Sequence, residues 1–88
     1  MNKYFALRKT NRMRTELLTE KSQEQLKEVI RYLRRVSWDF CGIELVRSDL
    51  LDIAIQANKE NQELFHSISD AKTFVEEVKP SLKALRAG

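Results

Sequence analysis

The chain has 88 residues, 42% hydrophobic and 33% charged, with two Gly, one Pro and one Cys. A domain of that length buries only about 60 to 65% of the surface its unfolded chain exposes, so its stability is marginal or supported by a partner. The scarcity of turn residues argues against a sheet, the lone Cys41 excludes an internal disulfide and a Cys-rich zinc site, and no stretch approaches the roughly 18 uncharged apolar residues of a membrane span.

The net charge of +3 is unevenly placed. Residues 1–36 carry ten Lys or Arg against four Glu, whereas residues 37–88 carry six against nine Asp or Glu. The halves are expected to attract each other or different partners. The opening "MNKYFALRKTNRMR" is too densely charged for the apolar core of a signal peptide, and a single thiol fits a reducing compartment, so the expected location is the cytoplasm.

Residues 1–18 are expected to form a basic N-terminal helix or arm. Its one apolar stripe, Ala6, Met13 and Leu17 with Thr10, is weak, which predicts a helix that frays or is held only by contacts elsewhere. Thr19 or Ser22 then offers an N-cap, and Ser22 with Gln25 has capping-box spacing. The helix that follows, over about 20–37, places Leu26, Val29, Ile30, Leu33 and Val36 on one face and Lys27, Glu28, Arg31, Arg34 and Arg35 on the other.

A third helix is predicted over about 43–60. Ile43, Val46, Leu50, Ile53, Ala54 and Ala57 share one stripe, while Leu51 and Ile55 lie four residues apart on a second face. Two apolar faces imply burial on two sides, against the first helix or against another copy of the chain. The stretch "NKENQELFHSISD" then reads as a helix stop at Asn61, an apolar strap of Leu64, Phe65 and Ile68, and a new cap at Ser69 or Asp70. The last core helix, about 70–79, uses Ala71, Phe74, Val75 and Val78. Pro80 breaks it near Lys79, and residues 80–88 form a tail with a short helical segment.

These elements give an all-α fold, a small bundle of three core helices within 20–79. Chemistry is harder to find in them. Glu63 and His66 have the Glu-x-x-His spacing of di-iron bundles, but one His cannot complete such a site, so no metal or cofactor is expected. Cys41 lacks a base and an oxyanion turn, and beside Trp38, Phe40 and Ile43 it reads as a small apolar residue in a helix junction; no catalytic residue is expected. Trp38 and Phe40 flank Asp39 and cannot both point into one helical face, so either one caps the core from the loop or one is left for a partner, and at least one is expected in the core.

The segments "VIRYLRRVSWDF" and "DLLDIAIQANKENQELFHSISDAKTFVEEV" resemble the HAAS-like superfamily, small helical domains found beside PadR-type regulators in Gram-positive bacteria. The matching positions are Tyr32, Leu33 and Arg34; Asp49, Leu50 and Leu51; Ala57; Leu64 and Ile68; and Asp70, Phe74, Glu76 and Glu77. Where the family has Gly, this chain has Asn61, the next best residue for a left-handed helix stop. The resemblance implies an all-helical domain that accompanies transcriptional regulation through protein contacts, without catalytic residues.

The expected function is a non-catalytic protein–protein interaction module that self-associates or docks a regulator through Trp38, Leu51 and Ile55. The alternative is a nucleic-acid accessory using Arg8, Lys9, Arg12 and Arg14 of the basic half. Neither a membrane nor a small-molecule substrate is implied.

Overall fold

Thr19 caps the best-patterned helix of the chain: its hydroxyl accepts the Ser22 N–H at 3.2 Å, which satisfies one of the free donors of the first turn. The computed structural model describes residues 2–86, and it is all-helical in architecture. The elements are α1 (Lys3–Thr15), α2 (Glu20–Val36), α3 (Phe40–Lys59), α4 (Leu64–Ile68) and α5 (Ala71–Val78), closed by a 3-10 turn at Lys79–Ser81. Met1, Ala87 and Gly88, the ends of the predicted arm and tail, lie outside the described residues.

The helices lie side by side in a slab with extents of 38 × 34 × 17 Å. α3 occupies the middle, touching α1, α2 and α4, while α2 continues outward to α5. A slab this thin has little interior, and α3 supplies much of it: Ile43, Leu50, Leu51, Ala54 and Ala57 are buried. The facing stripe of α2, Leu26, Val29, Ile30 and Leu33, completes the core with Leu64, Ala71, Val75 and Leu82.

Both apolar faces of α3 are therefore used within the chain. Leu51 and Ile55 share their face with Glu44 and Ser48, to which α1 is bonded, so the first helix takes the place a second copy would have had. α1 packs there on a different stripe from the apolar one in its sequence. Ala6, Thr10, Met13 and Leu17 are exposed; Asn11 and Leu18 are buried and Leu7 and Arg14 half-buried. The reason is polar: Asn11 donates through Nδ2 to the Glu44 carbonyl at 3.0 Å and to its carboxylate at 3.1 Å, and Arg14 reaches Ser48 and Asp52. Hydrogen bonding to the buried Glu44 carboxylate selects the stripe that also carries Leu7 and Leu18.

At the far end of α3 the chain stops as Asn61 foretells. Asn61 has φ 61°, its N–H donates to the Asn58 carbonyl at 3.1 Å, and the Gln62 N–H donates to the Ala57 carbonyl at 2.8 Å, the paired bonds of a Schellman motif. The following strap is helical, as α4, and Leu64 seals the core. It is also pinned by polar groups. Ser22 is fully buried, and its Oγ accepts from the Leu64 N–H and from Asn58 Nδ2; Gln25 accepts the Phe65 N–H and donates to Glu63 at 2.8 Å. Ser22 and Gln25 thus tie α2 to the connector, and the capping box expected between them is replaced by the Thr19 cap. Asp70 caps α5 through the Thr73 N–H at 2.8 Å.

Two local expectations are corrected. α3 begins at Phe40, with Asp39 as its cap, three residues before the apolar stripe starts. Beyond the 3-10 turn containing Pro80, residues 82–86 are non-helical, and Ser37 pairs with Leu85 in an isolated antiparallel bridge. The chain returns there because the end of α2 offers free backbone groups: the Trp38 N–H donates to the Ala84 carbonyl and the Arg86 N–H to the Val36 carbonyl, both at 2.8 Å.

Candidate interaction surfaces

The first site grows from the junction between α2 and α3. Asp39 accepts the Gly42 N–H at 2.9 Å as the α3 cap, and its other carboxylate oxygen accepts the Lys83 N–H at 3.0 Å from the returning strap. Ser37 Oγ supports the same turn, accepting the Asp39 N–H and donating to the Lys83 carbonyl, each at 2.9 Å. The N–H groups of Lys83 and then Gly42 hold the Asp39 carboxyl below its ordinary range. Gly42 makes this grip possible, because a Cβ at that position would overlap the Asp39 carboxylate.

Starting α3 at Phe40 turns its first residues outward. Trp38 is 54% exposed and Phe40 51%, so neither enters the core as expected, and Cys41 is exposed rather than packed in the junction. Phe5 of α1, 59% exposed, stands against Tyr4 in an edge-to-face pair with centroids 5.3 Å apart. Tyr4, Phe5, Trp38, Phe40 and Cys41 line one open cleft of about 500 Å³, floored by Asp39 and the strap at Lys83 and Ala84. The guanidinium of Arg86 lies 3.4 Å from the centroid of the Trp38 ring and covers one of its faces.

The expected partner-binding set is divided by this geometry. Trp38 belongs to the exposed surface. Leu51 is 0% exposed and belongs to the core, and Ile55 is half-buried and packed against that core. Phe5 and Phe40 complete the surface instead. The signal for Phe40 in the sequence is Asp39 itself, a preferred N-cap residue directly before it, and the sequence carries none for Phe5.

The second site is basic. Arg8 and Arg12, one turn apart on α1, join Arg34 of α2 and Arg47 of α3 around a cleft of about 280 Å³. Of the other basic residues expected to act with them, Arg14 is paired with Asp52 and Ser48, and Lys9 is exposed and does not line this cleft. Among the described residues Glu63 and His66 do not converge with further ligands: Glu63 pairs with Lys21 at 2.9 Å and accepts from Gln25, which lower its carboxyl below the ordinary range, and His66 is exposed. No described helix is long and apolar enough to cross a membrane.

No family model matches the chain, and neither a curated protein nor a solved structure matches it.

Proposed function

We propose that the protein is a non-catalytic helical interaction module that pairs with a second copy of itself through the aromatic surface at the start of α3. The observation that carries this reading is the cleft beside Tyr4, Phe5, Trp38 and Phe40, which sets protruding aromatic side chains and a concavity of about 500 Å³ on one face. An isologous dimer places the same patch of both subunits in contact, so a surface that holds both knob and hole supports this reading. The thin slab behind it leaves the domain short of core, so association adds apolar burial that the single chain cannot supply.

Magnitudes set the strength of such a pair. Phe5, Trp38 and Phe40 are each about half exposed, and burying the exposed halves of all six in a dimer gives roughly 5 to 9 kcal/mol. Association costs about 4 kcal/mol or more in lost freedom, so the dimer is weak and concentration-dependent. The resemblance to HAAS-like domains supports placing the module as an accessory to transcriptional regulation.

Sedimentation over a wide concentration range tests the reading. The parent chain should move from its 10.4 kDa monomer toward twice that mass, and Phe5→Lys with Phe40→Lys should remain monomeric with unchanged helical circular dichroism. A parent that stays monomeric at the highest concentration, or a double variant that still dimerises, ends the proposal.

A further inference from the structure

The arginine cleft extends beyond its first lobe. A second lobe of about 310 Å³ adjoins it, lined by Lys27, Ile30 and Arg31 of α2, and the two share Arg34 and Arg47 as a common wall. Six cationic side chains from three helices thus line two adjoining lobes, with Glu16 also lining the first. Among the described residues Arg8, Arg12 and Arg34 have no carboxylate within 4.0 Å.

Arg47 sits at the centre of this arrangement under electrostatic load. Among the described residues its one ionic partner is the buried Glu44, 3.3 Å from Nε without a hydrogen bond, and Nε is buried with no other partner there. Burial pulls the Arg47 guanidinium below its ordinary value, Glu44 opposes that, and Arg34 and Arg8 add to it by repulsion. Four arginines so placed repel one another, and an anion between them turns that repulsion into attraction. Arginine's planar fork suits the oxygens of a phosphate.

We propose that these two basic lobes bind a chain of phosphates, with Arg34 and Arg47 common to both. The backbone of a nucleic-acid strand and a free polyphosphate share that chemistry. Phosphates outrank an acidic peptide as occupant because arginine, not lysine, dominates the walls. The groove shares no residue with the aromatic cleft, so this inference stands apart from the dimer.

Tripolyphosphate, measured by calorimetry, and a fluorescent oligothymidylate, measured by anisotropy, are the probes, with polyglutamate as the comparison anion. Binding of either phosphate probe at low salt, and ahead of polyglutamate, is the expected result; which of the two binds identifies the source. The affinity for the oligonucleotide should fall roughly 25- to 125-fold for a tenfold rise in salt, as two or three phosphate contacts require. Arg8→Gln with Arg34→Gln should weaken binding at least tenfold, while Lys59→Gln with Lys72→Gln, which removes the same charge outside the groove, should leave it near the parent value. Both pairs are exposed, and circular dichroism verifies that both variants fold. No binding of either probe, equal loss in the two double variants, or polyglutamate binding as tightly as the phosphates would overturn the proposal.

Discussion

Asn11 of α1 and Glu44 of α3 are both buried and joined twice, Asn11 Nδ2 donating to the Glu44 carbonyl at 3.0 Å and to its carboxylate at 3.1 Å. This pair, extended through Glu44 to Arg47, fixes the basic helix on the bundle and thereby places Arg8 and Arg12 on the groove.

Asn11→Leu should therefore cost more than its gain in apolarity suggests. The buried Glu44 carboxylate loses a donor, a penalty of about 1 to 3 kcal/mol. Urea unfolding should show a loss of that size, and amide exchange should accelerate first in α1. Unchanged protection of α1 would show that the apolar contacts alone hold it.

Leu51 separates the core from the interface. As a fully buried residue it should lose about 2 to 5 kcal/mol of stability on Leu51→Ala, read by chemical denaturation. A loss below 1 kcal/mol, on that scale, with a change in oligomeric state would return Leu51 to the surface.

The Asp39 junction has a defined pH dependence. Its carboxyl is held below the ordinary range in the folded protein, so its stabilisation is present above about pH 4, where the unfolded carboxyl is ionised, and is lost as pH falls through the folded value. Acidification below that point should release the strap and lift Arg86 from Trp38. Trp38 is the sole tryptophan, so its emission reports the event directly. Asp39→Asn should show the changed emission at neutral pH and no further step on acidification that the parent shows.

Gly42→Ala reaches the same junction from the other side. The added methyl displaces the Asp39 carboxylate, which breaks the cap at α3 and the bond to Lys83. A loss of about 1 kcal/mol in thermal or urea unfolding is expected for the cap, with the Trp38 emission of a released strap.

Asn61 offers the opposite case, a position where less side chain helps. At φ 61°, Asn61→Gly should be neutral or slightly stabilising, whereas Asn61→Val should lose about 1 to 2 kcal/mol in the same denaturation measurement.

The all-α architecture, the α2 stripe, the stop at Asn61, the Asp70 cap and the break at Pro80 were all legible in the chain itself, because each rests on neighbours within about one helical turn. What no local pattern carried was which faces meet. α1 turns the stripe with Asn11 inward, and not the one with Ala6 and Met13, because a carboxylate 33 positions away needs a donor, and Leu51 is core on the face of α3 that carries Glu44 and Ser48, to which α1 is bonded. Likewise Trp38 and Phe40 stay outside because Asp39, gripped by the N–H of Lys83, starts α3 early and brings the strap against Trp38. The arginine groove forms only when three helices set Arg8, Arg12, Arg34 and Arg47 side by side. Local spacing decides which elements form; long-range hydrogen bonds and charge pairing, between residues 30 to 45 positions apart, decide which surfaces remain for partners.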